Sequence, residues 1–468
     1  MRPEEKLGRE LPRYREELFD FLRIPSISAQ PSHQDDVRRA AAWIREDLER
    51  TGFAAELVET EGHPVVLGEW RGAGPEAPTL LIYGHYDVQP PEPLPEWDSP
   101  PFEPSLRNGR IHARGATDDK GQVFLHLKAL EAMLRDGGSL PVNVVTLFEG
   151  EEEVGSVHLL PVVERLRDRL ACDAVVISDS NMYAPGIPSL LLSLRGLAYF
   201  ELRVRGPARD LHSGTYGGAV VNPAGALARI LSSLHDDRGQ IAVPGLYDDV
   251  VEWDEETRDA IRTLPFDEAA YRRECGAEAL GGEEGFSTLE RSWIRPACDV
   301  NGIASGYTGE GAKTVLPATA MAKVSFRLVP DQDPERVGQL FRRHVANVAP
   351  PGVRVEVVEL HGGHPWRARP EGAFFEAARS ALRQGFGELP VLTGEGGSIP
   401  IVPAFEEVLG AQVVLLGFGL PGSNMHAPNE WFPEAHVEKG IRTLIHFYRE
   451  AGKAPLRGPR GKDPAPRS

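Results

Sequence analysis

Histidine- and carboxylate-rich segments occur where apolar runs end in the first part of the chain. There are four: residues 84–90, 114–121 and 149–156, and the single residue Asp179. Ligands of a parallel sheet bind beyond the carboxyl ends of its strands, so these segments should lie together. So many carboxylates at one edge would repel each other strongly without a cation. Histidine with carboxylates, and no cysteine nearby, favours Zn²⁺ or Mn²⁺. The sequence therefore predicts a metal site.

Each of these segments by itself has a plainer interpretation. The acidic triplet 151–153 would ordinarily be a solvated loop or a helix start. Asp118 and Asp119 could cap the helix that follows them, and His85 alone would more often be a structural histidine. The combination favours a metal site because all four segments flank strands of one predicted sheet and carry complementary types of ligand.

The elements that must position these residues alternate between strand and helix patterns. The runs 79–83, 142–148 and 174–178 are short and apolar, which is typical of buried strands. Between such runs lie helical patterns, one of which is predicted to begin with Ser32 as its cap and to end at Gly52. This alternation indicates an α/β fold with a mostly parallel sheet flanked by helices.

The pattern changes near Gly196 and returns near Arg369. Residues 197–204 and 320–328 partly alternate between polar and apolar side chains, as strands with one wetter face do. We predict four parts: a catalytic domain's first portion at 1–194, an inserted domain at 195–366, the catalytic domain's second portion at 367–451 and a disordered tail at 452–468.

Composition and charge exclude several partners. The 468 residues carry a net charge of −18, which argues against a nucleic-acid partner. No run approaches the roughly 20 apolar residues of a membrane helix. Residues 1–20 lack the apolar core of a signal peptide, and the three widely spaced cysteines suit a reducing compartment. We expect a cytoplasmic protein without a nucleic-acid or membrane partner.

With these residues in view, the chain resembles the M20 metallopeptidases, which include carnosinase-like dipeptidases and several deacylases. The resemblance is carried by residues 85–87, 114–121 and 149–156, Asp179, 210–214, 396–400 and His426. It implies an aminopeptidase-like catalytic domain with an inserted α+β lid and dimerisation domain, and therefore a homodimer. It also implies two divalent metal ions per subunit, Zn²⁺ or Mn²⁺.

The resemblance further implies how the metal ligands are shared. Asp118 would bridge the two ions. One ion would also take His85 and Asp179, and the other Glu153 and His426. A cis peptide bond is implied directly after Asp118.

Catalytic and substrate-binding roles follow from the same resemblance. Asp87 would orient His85, and Glu152 would be the general base that moves a proton from water to the leaving amine. His212, supplied by the partner subunit's lid, would stabilise the oxyanion, and Arg327 would hold the substrate carboxylate. Further substrate-binding residues would be Thr314, His361, Glu395 and Ser398.

Three of these assignments have alternatives. Without the motif, His212 would be a solvated loop histidine, and Arg327 would belong to the outward face of a strand. His364 could take the place of His361.

Residues 89–102 and 311–317 resemble the dipeptidase branch of the family. We therefore predict hydrolysis of dipeptides or short peptides that have a free C-terminal carboxylate. An N-acyl-amino-acid deacylase or a carboxypeptidase is the alternative within the family. An inert peptide-binding scaffold is the non-enzymatic alternative, and its signature would be the loss of Glu152 or of a metal ligand. All of these residues are present, while the metal and the preferred dipeptide are left open.

Overall fold

The computed structural model describes residues 3–397, 399 and 401–455. The helices are α1 (Pro3–Leu22), α2 (Gln34–Thr51), α3 (Lys120–Gly137), α4 (Leu159–Arg165), α5 (Ser213–Tyr216), α6 (Pro223–Ser232), α7 (Glu255–Arg262), α8 (Glu268–Glu274), α9 (Thr288–Trp293), α10 (Pro334–Val348), α11 (Ala373–Phe386), α12 (Val402–Ala404) and α13 (Glu434–Ala451). Shorter turns of helix occur at Pro31–His33, Leu94–Glu96, Glu152–Val154 and Phe405–Leu409.

The strands are β1 (Ala54–Val58), β2 (Val65–Trp70), β3 (Thr79–His85), β4 (Ser105–Arg107), β5 (Arg110–His112), β6 (Asn143–Glu149), β7 (Ala174–Ile177), β8 (Ser189–Leu194), β9 (Gly196–Arg205), β10 (Leu211–His212), β11 (Ala297–Ser305), β12 (Val315–Leu316), β13 (Thr319–Leu328), β14 (Arg354–Gly363), β15 (Trp366–Arg367), β16 (Val391–Glu395), β17 (Gln412–Leu415) and β18 (Trp431–Pro433).

The described residues divide into two compact units. The first takes those of Met1–Leu191, Ala368–Leu392 and Ile399–Ser468, and the second those of Leu192–Arg367 and Thr393–Ser398. The lid and dimerisation role of 195–366 stays a prediction. Ser398, predicted to bind substrate, and residues 456–468 of the predicted tail lie outside the described residues.

A six-stranded sheet organises the first unit, in the order β1-β2-β6-β3-β7-β17. Strand β3 runs parallel to β6 and β7, and β17 runs parallel to β7, whereas β1 and β2 are antiparallel additions at one edge. All residues of β6 and β7 are buried, as expected for strands covered on both faces. The predicted α/β fold with a mostly parallel sheet is confirmed.

Helix α2 shows one correct and one wrong prediction about its ends. Gly52 does end the helix: it has a left-handed φ of 100° and its N–H returns to carbonyl oxygens of the last turn, a geometry that suits glycine. Ser32 does not cap it. A short turn at Pro31–His33 takes up Ser32, and His33 precedes the helix without a side-chain cap hydrogen bond. Pro31 restricts its own φ angle, so a helical turn begins at Pro31, one residue before the predicted cap.

A four-stranded antiparallel sheet, in the order β11-β13-β9-β14, forms the frame of the second unit. Every second residue of β9 is buried, beginning with Gly196. On this face of the sheet, Phe200 and Leu202 of β9 and Phe326 of β13 form a core with apolar side chains of α6 and α10. The opposite face is the wetter one, which matches the alternation in the sequence.

The charge-rich stretch 248–291 contains the short helices α7 and α8 and the start of α9. Each begins with a side-chain cap, at Asp254, Asp267 and Ser287 respectively. Side chains of this kind accept hydrogen bonds from the first backbone N–H groups of a helix, which stabilises helices that are too short to be stable by themselves.

No helix in the described part of the chain is long and apolar enough to cross a membrane.

Candidate metal centre

Three of the four predicted segments begin at one edge of the first unit's sheet. In the parallel pairing of β3 with β6, His85 lies opposite Glu149. In the pairing of β3 with β7, Tyr83 lies opposite Ile177. Asp179, two residues beyond Ile177, therefore leaves the sheet at the level of His85. The carboxyl ends of these strands bring the segments together, as the sequence predicts.

Asp118 lies between two histidines. Its Oδ1 is 3.0 Å from Nε2 of His85, and its Oδ2 is 2.8 Å from Nε2 of His426. Burial opposes ionisation of this carboxyl, but the hydrogen bonds to His426 and His85 hold its pKa below the usual range. A carboxylate whose two oxygens face different ligands has the arrangement of a bridging group.

Two groups of side chains could each hold a metal ion. One consists of His85, Asp119 and Asp179, and the other of Asp118, Glu153 and His426. Within each group the donor atoms lie within 4.8 Å of one another. The sequence placed Asp118 rather than Asp119 with His85 and Asp179. The structure brings both aspartates to this place, and the peptide bond between them is cis.

The chemistry of the donors fits divalent cations. Imidazole nitrogens and carboxylate oxygens without thiolates are the ligand set of Zn²⁺ and Mn²⁺ sites with open positions. Oδ1 of Asp119 is buried and has no hydrogen-bond partner among the described residues. Burial raises the pKa of this carboxyl well above its usual range. A cation would satisfy the unpaired oxygen.

The pKa values across the site show how unfavourable the bare carboxylates are. Burial raises the pKa of Asp179 to about 7. The pKa of His426 is raised to about 10, because it is hydrogen-bonded to Asp118 and Glu153. Burial would lower the pKa of His85, but Asp118 and Asp87 outweigh burial and raise it well above its usual range. Protons thus hold the charge that cations would otherwise supply, and metal binding would release them.

Asp87 connects a histidine of the site to the acidic segment. Its Oδ1 is 3.3 Å from Nδ1 of His85 and accepts from the backbone N–H of Glu152 at 3.3 Å. Its Oδ2 accepts from the N–H of Glu153 at 3.1 Å and from Oγ of Ser28 at 2.6 Å. The backbone carbonyl of Asp87 lies closer still to Nδ1, at 3.1 Å. With Nδ1 engaged in this way, Nε2 of His85 is left for a ligand, and the orienting role of Asp87 stays a prediction. Ser28 was not predicted.

Glu152 begins the short turn Glu152–Val154 directly beside the donors. Burial raises the pKa of its carboxyl well above the usual range, and the charges of Asp179 and Glu153 raise it further, against the opposing effect of His85. A carboxyl group in such surroundings holds a proton more readily than an exposed glutamate does.

Glu430 was missed by the sequence analysis and is central to the Asp118 loop. It is fully buried, and its Oε2 accepts from Nη1 of Arg114 and from the N–H of Gly115, each at 2.9 Å. Its Oε1 accepts from the N–H of Thr117 at 2.8 Å and of Asp118 at 3.1 Å. The available signal was a glutamate directly before the apolar strand β18, where a charge needs a buried partner.

A third acidic group is not a metal site. Glu17, Asp47 and Glu131 lie close together, but Nζ of Lys128 is 2.7, 2.7 and 2.9 Å from their respective carboxylates. The ammonium already neutralises this group, and a cation would have to displace it.

The remaining predicted residues belong to the second unit. His212 lies on β10, opposite Val315 of β12, and its Nδ1 accepts from the N–H of Gly214 at 3.0 Å. The N–H of Ser213 donates to the carbonyl of Thr314 at 3.1 Å. His212 and Thr314 are therefore neighbours, and both are exposed.

Arg327 and His361 lie on the wetter face of the four-stranded sheet. Arg327 pairs with Leu197, and His361 pairs with Tyr199, so all four are on the side opposite the core. The rings of His361 and Tyr199 meet edge to face at 5.1 Å. Glu395 ends β16 and accepts from the N–H of Gly396 at 3.1 Å.

A mostly parallel sheet whose carboxyl edge bears two groups of imidazole and carboxylate donors defines a metal-dependent α/β enzyme. The model of Peptidase family M20/M25/M40 matches residues 81–450, and the chain belongs to this family. It is a metallopeptidase and thus a hydrolase, which confirms the resemblance found in the sequence.

Named relatives of similar length are dipeptidases and a carboxypeptidase. The Cys-Gly metallodipeptidase of Candida albicans is 32% identical, over 94% of this chain and 95% of the relative. The crystal structure of human carnosine dipeptidase 1 has a TM-score of 0.83 at 31% identity, covering 96% of this chain and 98% of that one. An M20 family metallo-carboxypeptidase from Sulfolobus solfataricus has a TM-score of 0.84 at 35% identity, covering 94% and 99%.

Proposed function

We propose that this enzyme hydrolyses the peptide bond of dipeptides or short peptides that have a free C-terminal carboxylate. The observation that carries the proposal is the position of Asp118, with His85 on one oxygen and His426 on the other. The dipeptidase names of relatives at 31–32% identity support the choice of substrate.

Two divalent cations, Zn²⁺ or Mn²⁺, would polarise the substrate carbonyl and promote the ionisation of water when bound there. Asp118 would contribute to both ions. His85 and Asp179 would complete one set of ligands, and Glu153 and His426 the other. Asp87 would keep Nε2 of His85 free for this task through its contacts with Nδ1.

Glu152 is the general base in this proposal. It takes a proton from water as the water oxygen adds to the carbonyl carbon. It then donates that proton to the leaving nitrogen as the C–N bond breaks. The products are an amine and a carboxylic acid, and transfer of the acid's remaining proton to the amine leaves a carboxylate and an ammonium group. Its raised pKa, caused first by burial, suits a group that must both accept and return a proton.

Substrate binding is assigned to residues of 195–366 and to the glycine-rich segment that follows β16. Arg327 would hold the C-terminal carboxylate with its planar fork, and Thr314, His361, Glu395 and Ser398 would line the rest of the pocket. His212 of the partner subunit would stabilise the oxyanion, so that the working enzyme is a homodimer. The resemblance in 210–214 supports this last assignment.

The test is a substrate panel assayed with Mn²⁺ and with Zn²⁺. It contains dipeptides, longer peptides, N-acetyl and N-succinyl amino acids, and C-terminally amidated dipeptides. The proposal requires the highest kcat/KM on unmodified dipeptides. A preference for acyl amino acids would identify a deacylase, and a preference for longer peptides a carboxypeptidase, which the Sulfolobus relative at 35% identity favours as the second candidate. Full metal content without any turnover would identify a scaffold.

A further inference from the structure

The guanidinium of Arg195 forms no ion pair with a described residue, although the charges of Asp299 and Glu395 act on it from beyond ion-pair distance. It lies between β8 and β9 in the second unit and is half-buried. Its Nε is buried and has no hydrogen-bond partner. Within the residues that the structure describes, its side chain makes no ion pair. A buried cation is unfavourable unless a partner satisfies its charge and its N–H groups. Binding of an anion at Arg195 would therefore be favourable.

The glycine-rich segment after β16 fixes the place of this side chain. The backbone N–H of Arg195 donates to the carbonyl of Glu395 at 3.2 Å. A Cβ on Gly396 would lie 3.3 Å from Nη2 of Arg195, so the guanidinium lies over the bare backbone of Gly396. The carboxylate of Glu395 is engaged by the backbone N–H groups of Gly396 and Gly397. Its charge attracts Arg195 but lies beyond ion-pair distance, so it leaves the N–H groups of the guanidinium available.

Arg195 is also close to the predicted carboxylate-binding residue. Arg327 pairs with Leu197, and residues two apart along a strand share a face. Extended by one residue beyond the start of β9, this alternation puts Arg195 on the side of Arg327. Burial lowers the pKa of Arg195 to about 10, with the charge of Arg327 as the next cause. Arg327 likewise makes no ion pair with any described residue. Two cations in this relationship repel each other until an anion binds between them.

We propose that Arg195 is a second carboxylate-binding residue, which holds the free C-terminal carboxylate of the substrate together with Arg327. This inference rests on the proposed function and names a further residue that recognises the substrate's C-terminal carboxylate. Each guanidinium offers a planar fork of N–H donors, and a carboxylate has two oxygens with about four acceptor positions. Two forks can thus donate to both oxygens of one carboxylate, and the negative charge between them reduces the repulsion of the two cations. The C-terminus of the dipeptide would then be bound by both Arg195 and Arg327.

The experiment compares a dipeptide with its C-terminal amide. Wild type should prefer the free acid. Arg195→Ala should lose about 10- to 100-fold in kcat/KM on the acid, mostly through KM, because a charge-assisted hydrogen bond is removed. Its kcat/KM on the amide should hardly change. Arg195→Lys, which keeps the charge but not the fork, should fall in between. Arg203→Ala removes an exposed arginine from β9 and should behave as wild type.

An equal loss on acid and amide in both Arg195 variants would overturn the proposal and leave Arg195 with a purely structural part. Calorimetry distinguishes the role of Arg195 from the proposed function. The ligand is a non-cleavable dipeptide in which CH₂–NH replaces the peptide bond, prepared once with a free C-terminal acid and once with a C-terminal amide. If wild type cleaves no substrate but binds the acid better, and Arg195→Ala abolishes that preference, the proposed function fails and the role of Arg195 stands. If wild type binds acid and amide equally, Arg195 reads no carboxylate.

Discussion

Asp118 and His426 are 308 positions apart in the chain, yet Oδ2 of the aspartate lies 2.8 Å from Nε2 of the histidine. His426 holds this position with a left-handed φ of 59°, a conformation that is uncommon for a residue with a side chain. The same nitrogen lies 3.2 Å from Oε2 of Glu153. This contact joins the loop before α3 to the loop before β18, so one half of the candidate metal centre is formed by segments from both ends of the first unit.

The first prediction separates a base from a ligand. Glu152→Gln should keep both metal ions while kcat falls by at least about 10²-fold, the usual loss for a missing general base. Asp118→Ala should lose metal as well as activity, because its two oxygens face both groups of donors. Metal analysis by mass spectrometry after gel filtration and initial-rate kinetics measure these effects. Loss of metal from Glu152→Gln, or unchanged turnover, would contradict the role of Glu152.

The second prediction concerns the support of the Asp118 loop. Glu430→Gln breaks a buried pair with Arg114, and such a loss typically costs about 3–5 kcal/mol of folding free energy. It should also weaken metal binding about 10- to 100-fold, because an NH₂ donor replaces one of the two carboxylate oxygens that accept from the loop of Asp118 and from Arg114. Urea unfolding and metal titration give the two numbers.

Glu434→Gln is the matched control for this variant. Glu434 lies nearby in sequence and forms a partly exposed pair with Arg15 at 3.3 Å, worth at most about 1 kcal/mol. Equal stability of the two variants would show that Glu430 does not support the loop.

The third prediction is a pH dependence. His126 is fully buried between Tyr448 and Ser178, and burial lowers its pKa to about 3. The unfolded chain therefore binds a proton at this residue below about pH 6.5, whereas the folded chain does not. The stabilisation is fully present above about pH 6.5 and is lost progressively as the pH falls toward 3, at up to about 1.4 kcal/mol per pH unit.

His126→Asn should thus be less stable than wild type at pH 7.5, with a difference that shrinks toward pH 4.5. Thermal unfolding of both proteins at three pH values measures this trend. His364→Asn, at an exposed position, should show a constant difference. A constant difference for His126→Asn as well would mean that this histidine does not couple to pH.

The fourth prediction tests the homodimer with His212 acting in the partner's site. His212→Ala should keep its metal but lose most of its activity, since an oxyanion donor is worth about 2.7–4 kcal/mol of barrier. After subunit exchange with Glu152→Gln, half of the dimers are mixed, and each mixed dimer has one intact site of two. About a quarter of wild-type activity should return from two nearly inactive parents. Sedimentation confirms the dimer, and an inactive mixture of exchanging dimers would show that His212 does not act across subunits.

The sequence by itself determined which types of side chain collect at one edge of the sheet and their order along the chain. The segments that contain His85, Asp118, Glu153 and Asp179 were predicted because each follows or flanks a locally readable strand or helix, and hydrophobic periodicity encodes those elements within a few residues. Their roles as ligands came from the family resemblance and stay a prediction. The strands 79–83, 142–148 and 174–178 were placed within a residue or two of β3, β6 and β7 for the same reason.

Tertiary structure alone decided the contacts that span long stretches of chain. Glu430 supports the loop of Asp118 across 312 residues, and no local pattern marks which buried charge pairs with which loop. That Arg195 forms no ion pair with a described residue is visible only when the carboxylates around it have been placed. Ser32 was wrongly predicted as a helix cap because it lies inside the short helical turn Pro31–His33, which precedes the helix. Pairing and burial are properties of the folded chain, since a side chain's partners depend on elements that are distant in sequence and near only after packing.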